Sequence, residues 1–418
     1  MQFDKKGLHN DKIIEIYRNL LFPRMIEEKM LVLLRQGKIS KWFSGIGQEA
    51  ISVGATMALQ SDEWIMPLHR NLGVFTSRNM PLSKLFKQWQ GNRDGYSKGR
   101  ERSFHFGNKD HHICGMISHL GPQLAIADGV ALAYKLRKEQ KVSLAFTGDG
   151  GTSEGDFHEA LNTAAVWDLP VIFIIENNGY GLSTPTSEQY RCKSLVEKAA
   201  GYGIEGVQID GNNVLTVYDT IQGVREYCIK NQKPYLIECM TFRMRGHEEA
   251  SGVKYVPKNL FEEWEQKDPI KNFETWLTGE GILSASSIEA IRAETKSHIE
   301  EELKIGFDAE KIIPDTDEEL EDVYAPVTAD WSLMADNSNG QTLVGPATEK
   351  KFINAISDAL EQSLNKHSNL VLMGQDIAAY GGAFKVTEGF VEKFGKGRIR
   401  NTPLCESAIV GTALGLSL

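Results

Sequence analysis

Cysteine is scarce: Cys114, Cys192, Cys228, Cys239 and Cys405 make an odd set of five in 418 residues. No two of them lie at the close spacing of a zinc site or a redox pair, so they read as reduced thiols, and the expected compartment is the cytoplasm. Long apolar runs are missing as well. Residues 1–12 are polar, and no later stretch approaches the roughly 18 uninterrupted apolar residues of a membrane span, so the expectation is a soluble chain with no membrane partner. Basic charge is not in excess either: 46 Lys and Arg against 56 Asp and Glu leave a formal charge of -10. That balance argues against a general nucleic-acid binder while leaving room for a local basic pocket for phosphate. Internal repeats and low-complexity tracts are absent. What is present is 41% hydrophobic, enough for more than one core, and the length suggests two or three domains.

The informative part is Gly148-Asp149-Gly150 followed, across residues 151–176, by Asn177-Asn178. Residues 142–146 and 171–175 are short apolar runs that read as buried parallel strands. Between them, residues 152–167 carry Phe157, Leu161, Ala164 and Ala165 at helical spacing, with Ser153 and Glu154 as capping candidates. The unit is strand, glycine turn, helix, strand. In such units anionic ligands bind beyond the carboxyl ends of the strands, where backbone N–H groups and a helix N-terminus favour phosphate. Asp149 and Asn178 stand at those two ends. Magnesium prefers oxygen ligands in octahedral geometry. One carboxylate, one amide oxygen and the Tyr180 carbonyl would leave room for two phosphate oxygens and a water. An ordinary turn explains either motif alone; the pair at this separation on this scaffold is specific.

Elsewhere, residues 10–36 place Ile13, Tyr17, Leu20, Leu21 and Leu31 on a helical period, with Asn10 or Asp11 able to cap them. Residues 45–50 open a second helix that runs through Leu59, residues 92–112 predict an irregular loop, residues 122–138 a small-residue helix, and residues 235–242 a third core strand, followed by a loop with Arg243, Arg245 and His247. An acidic run at 315–322 gives way to linker chemistry at 335–341, and a new unit starts near Pro346 with a helix over 350–366 and a strand over 370–374.

The Gly-Asp-Gly and Asn-Asn pair, extended by Gly179-Tyr180-Gly181-Leu182-Ser183-Thr184-Pro185-Thr186-Ser187-Glu188-Gln189-Tyr190, resembles the thiamine-diphosphate-dependent E1 component of 2-oxo acid dehydrogenase complexes, most of all the branched-chain type. The segment around Gly395 to Glu406 resembles the start of the beta subunit of the same enzymes. The resemblance implies an α/β thiamine-diphosphate fold, a parallel sheet flanked by helices, and the beginning of a second similar domain. It implies an alpha-like domain over 1–324, a linker over 325–345 and a beta-like pyrimidine domain over 346–418. The expectation is a fused alpha/beta E1 that stops early, whose full-length form is a homodimer.

The same resemblance assigns roles. Asp149, Asn178 and the Tyr180 carbonyl would hold Mg2+, Gly148, Gly150 and Gly151 would line the diphosphate, and Arg70 and His247 would contact its oxygens. Ser118 and Leu120 would flank the pyrimidine, with Leu120 bending the cofactor. Glu406 would hydrogen-bond the pyrimidine and promote loss of the thiazolium C2 proton, from an apolar setting that raises its pKa. The implied reaction decarboxylates a 2-oxo acid and passes the acyl group reductively to the lipoyl domain of E2. Three departures carry weight. Glu248 stands where regulated relatives have a phosphorylatable serine, so control there is absent. Ile117 and Pro122 replace the oxygen ligands of a monovalent-cation site. Glu176 replaces an arginine usual in branched-chain enzymes and is found in pyruvate enzymes. A pyruvate or acetoin E1 is therefore the nearest alternative, and a cofactor-binding or assembly module is the alternative from another class.

Overall fold

In the computed structural model, residues 1–115, 120–307, 312–324 and 349–418 are described. The strands are β1 (Ile65–Met66), β2 (Ser143–Gly148), β3 (Val171–Asn177), β4 (Tyr180–Gly181), β5 (Thr184–Pro185), β6 (Glu205–Asp210), β7 (Tyr235–Met240), β8 (Leu372–Gly374) and β9 (Ile399–Asn401). Five of them form a parallel sheet in the order β1-β2-β3-β7-β6. Its centre follows from composition: every residue of β3 is buried, as a strand covered on both faces by helices requires. β1 and β6, which the sequence does not mark as strands, are the edges. β1 has two residues, and β6 is largely exposed, so neither carries the continuous apolar run of the centre.

The chain opens with helix α1 (Asn10–Arg35), then α2 (Glu49–Ala58). Helices α3 (Pro122–Arg137) and α4 (Gly155–Trp167) pack on each other beside β2, and α5 (Val214–Asn231) packs on α2 and on β3 and β6. The expected caps of α1 and α4 are corrected. Asn10 lies inside α1 behind His9, which makes no side-chain cap, and the helix is held instead by burying Ile13, Tyr17, Leu20 and Leu21. Residues Gly150–Ser153 form a separate 3-10 turn, and Glu154 precedes α4 without a side-chain bond. Asn213 does cap α5, its Oδ1 accepting from Thr216 N at 3.1 Å.

Two compact units result: Met1–Glu310 with Pro403–Leu418, and Lys311–Thr402. The second holds α6 (Phe352–Lys366) and the parallel pair β8–β9, around a core of Leu364, Ala378, Phe390 and Ile399. This grouping differs from the chain order of the expected domains, and the linker at 325–345 lies outside the described residues. The reason is helix α7 (Glu406–Ser417), which packs on α3 in the first unit at backbone contact. A Cβ on Gly129 would stand 2.1 Å from Thr412 O, and one on Gly415 would stand 2.0 Å from Ile126 O. Both helices therefore need glycine where they cross. No disulfide joins any of the five cysteines. Among the described residues no helix is long and apolar enough to cross a membrane.

Candidate functional site

The parallel register of β2 and β3 pairs Gly148 with Glu176, so the residues after each strand emerge side by side. Asp149 follows β2, its N–H donating to Glu176 O at 3.3 Å, and its Oδ1 accepts from Gly150 N at 2.8 Å. Its Oδ2 is buried with no partner, and the residue is only 2% exposed. A buried carboxylate oxygen left unpaired is costly, and burial pushes the Asp149 carboxyl up to about 6, against the pull of the backbone N–H of Gly150, the Arg243 charge and the N–H groups of Gly179 and Tyr180. Those last two donors come from the turn after β3, where Asn178 Oδ1 accepts from Tyr180 N at 3.3 Å. Asp149, Asn178 and Tyr180 are thus brought together. Asn177 turns the other way: its Nδ2 donates to the fully buried Glu238 at 2.7 Å.

Beside this corner lies a cleft of about 550 Å³, lined among others by His69, His105, Leu120, Gly150, Gln189 and His247. At Gly150 a Cβ would stand 3.0 Å from Gly181 Cα, a tight approach that favours glycine there. Gly151 is closed in from behind, its Cβ position lying 2.4 Å from Thr147 Oγ1. Gly148 has open space around it.

The cations gather on one side. Arg70 is buried, donating from Nη1 to Ser44 O at 2.8 Å, with Nη2 2.8 Å from His69 Nε2 and 3.4 Å from His247 Nδ1. Burial and Arg243 lower it to about 10, so it stays charged at neutral pH. Burial, with Arg70 and Arg243 nearby, holds His247 down to about 4 and His69 well below its ordinary range, so both imidazoles are neutral. Phe43 presents its edge geometry to both rings, 5.1 Å from His69 and 5.7 Å from His247. Behind them, Glu176 accepts from Asn71 Nδ2 at 2.6 Å, and burial raises its carboxyl to about 7. Glu27, also buried, accepts from Trp42 Nε1 and Gly45 N, each at 2.8 Å, and rises to about 7.

An unpaired buried carboxylate oxygen, an amide oxygen and a backbone carbonyl beside a fixed arginine fit a divalent cation that bridges to an anionic ligand. Among the described residues, no group of three or more His, Cys, Asp or Glu could hold a metal by itself. A cation here would draw on neutral oxygens and on the ligand's own.

Of the residues expected from sequence, Asp149, Asn178, Tyr180, Gly150, Arg70, His247 and Leu120 converge on this cleft and its corner. Ser118 and Ile117 lie outside the described residues. Glu406 is the first residue of α7 and is exposed, and the apolar setting expected for it is not built by the described residues. Its helix is held instead by Glu159, whose Oε2 accepts from Ala408 N at 2.9 Å. His69, Phe43, Glu27 and Gln189 were not singled out as site residues by the sequence. His69 adjoins Arg70 and Gln189 falls inside the extended motif, whereas Phe43 and Glu27 carry no local signal.

A profile described as "Dehydrogenase E1 component" matches residues 17–314, and one described as "Transketolase, pyrimidine binding domain" matches residues 348–418. The chain is 35% identical over 314 residues to a 2-oxoisovalerate dehydrogenase subunit alpha 2 of Arabidopsis thaliana, covering 74% of this chain and 66% of that protein. It is 35% identical over 285 residues to the 2-oxoisovalerate dehydrogenase subunit alpha of Bacillus subtilis, covering 66% and 85%. It is 34% identical over 303 residues to the pyruvate dehydrogenase E1 component subunit alpha of Bacillus cereus, covering 70% and 77%. The chain spans just under two thirds of the two Arabidopsis relatives, 66% and 61% of their lengths. On the match over residues 17–314, the chain belongs to the dehydrogenase E1 component family, joined to a transketolase-type pyrimidine-binding segment.

Proposed function

We propose that this chain serves as the E1 component of a 2-oxo acid dehydrogenase complex, with thiamine diphosphate and Mg2+, acting on a branched-chain 2-oxo acid such as 3-methyl-2-oxobutanoate. The observation that carries the reading is Asp149 Oδ2, buried without a partner next to Asn178 and Tyr180 and beside Arg70. Asp149, Asn178 and the Tyr180 carbonyl would hold Mg2+, and the charged Arg70 would bind diphosphate oxygens. Neutral His247 can donate or accept a hydrogen bond at its other ring nitrogen, according to its tautomer, without carrying a charge into the cleft. Leu120 and Ser118 would flank the cofactor, with Glu406 at the pyrimidine. When bound, the cofactor would supply the electron sink for decarboxylation. The lipoyl group of E2 would be the acyl acceptor, and the active assembly would be a cytoplasmic homodimer. The domains would run 1–324, 325–345 and 346–418.

The branched-chain assignment is supported by the names of the Arabidopsis and Bacillus subtilis relatives. A pyruvate substrate is the second reading, favoured by Glu176 and by the Bacillus cereus relative. Calorimetric titration tests the cofactor. Thiamine diphosphate should bind with Mg2+ and lose affinity together with the metal in Asp149→Ala; unchanged affinity in that variant removes Asp149 from the site. CO2 release from 3-methyl-2-oxobutanoate against pyruvate then decides the substrate.

A further inference from the structure

The segment that carries His247 is short, irregular and unusually well tied. Its main chain is laid on residues 42–46 at two points, Met244 N donating to Ile46 O at 3.2 Å and Glu249 N to Trp42 O at 3.1 Å. Arg243 is buried, its Nη2 2.9 Å from both Leu182 O and the Tyr255 hydroxyl. At Gly246 the chain folds so closely that a Cβ would stand 2.8 Å from Glu248 O and 2.9 Å from Gly252 O. Immediately after His247 comes a single 3-10 turn, Glu249–Ser251. A turn of that length has no ladder or helix to propagate it, and ordering its backbone costs entropy that side chains must offset. Glu248 does so reciprocally: its carboxylate accepts from Ala250 N at 3.1 Å, while its own N–H donates to Ser251 Oγ at 3.3 Å. Arg245 forks onto Glu249 from the other side of the histidine, Nε to Oε1 at 3.0 Å and Nη2 to Oε2 at 2.5 Å.

The imidazole is fixed on its cleft side by Phe43, His69 and Arg70, all from other segments. On its chain side it is fixed by this turn. We propose that Glu248 is a positioning residue: by closing the turn that follows His247, its carboxylate keeps the imidazole facing the cleft before any ligand arrives. The inference rests on the proposed function only where a cofactor is the readout. A histidine held in place in the free protein lowers the ordering cost that ligand binding would otherwise meet.

The test compares Glu248→Ala with Glu248→Gln, which keeps an acceptor oxygen. Loss of a cap of this kind corresponds to roughly a two- to thirty-fold change in an equilibrium. In Glu248→Ala, tryptic cleavage after Arg245 should accelerate by about that factor, the NMR-titrated pKa of His247 should climb toward the ordinary imidazole value, and the Kd for thiamine diphosphate with Mg2+ should rise by a similar factor. Glu248→Gln should restore all three. Wild-type cleavage and an unmoved His247 titration in Glu248→Ala overturn the proposal. A loss that Gln fails to restore assigns the effect to charge and overturns it too. If the wild-type protein binds no thiamine diphosphate, the proposed function falls, while cleavage and titration still decide the role of Glu248.

Discussion

Arg70 shows how a buried cation can be tied down and still available. Its Nη1 is committed to Ser44 O, while its Nη2 meets His69 Nε2, His247 Nδ1 and the His247 carbonyl, so it faces neutral groups alone among those bonds. If it meets diphosphate oxygens, Arg70→Ala should cost about 1.5–3 kcal/mol of thiamine diphosphate binding, the range for a hydrogen bond to a charged group. Thiamine itself should bind both proteins alike; equal losses for the two ligands in calorimetry would place Arg70 elsewhere. Glu27, which accepts from Gly45 N beside the Ser44 carbonyl that holds Arg70, gives a pH signature. Its folded-state pKa, about 7, lies above the ordinary 4.5 because burial outweighs the hydrogen bonds from Trp42, Gly45 and Ser44. The folded state therefore holds this proton more tightly than the unfolded one. The stability it carries is complete below pH 4.5 and lost as pH rises to 7, of the order of 3 kcal/mol for a shift of this size. Glu27→Gln should flatten that part of the denaturant-derived stability profile between pH 4.5 and 7, even though its amide leaves a donor facing a donor and lowers stability throughout. An unchanged slope would contradict the assignment. Asp149 and Asn178 were legible in the sequence because each directly follows an apolar run. Glu27 and Phe43 were not, because what matters about them is which distant segments they touch.

The central strands β2, β3 and β7 could be read from sequence within a residue or two, since burial on both faces leaves an uninterrupted apolar run. The edges β1 and β6 could not, one being too short and the other too exposed. Helix limits were less readable: α1 and α3 matched closely, but α4 starts at Gly155 rather than at residue 152 and α5 was not read at all, while side chains able to cap flank both α1 and α4 and neither helix uses them. The crossing of α3 and α7 was legible only as a small-residue pattern in α3, because which glycines face which helix depends on the mutual rotation of two elements. It can be tested directly. Gly129→Ala forces a methyl to within 2.1 Å of Thr412 O, a backbone atom that cannot swing aside. The expected cost is about 1–3 kcal/mol, with amides 406–417 losing hydrogen-exchange protection. Full protection in the variant would show that the helices cross less tightly than the structure has them.

Taken whole, the molecule divides its apolar burial unequally. The first unit has a large core, whereas the second has, among its described residues, a cluster of four buried apolar side chains beside a two-stranded pair. Leu364→Ala removes one of those four, and large-to-small changes in cores cost about 2–5 kcal/mol. Residues 352–401 should then exchange freely, and wild-type exchange rates there would mean that this cluster does not hold the unit together. The pairing of α3 with α7 has a consequence in time. Residues 138–405 are made after α3 and before α7, so on the ribosome the glycine face of α3 waits uncovered while most of the chain is synthesised. At elongation rates of about 5–20 residues per second, that wait lasts on the order of 10 to 60 seconds. During it, the small-residue face around Gly129 stays open to wrong partners, including the same face of another nascent chain, until α7 covers it.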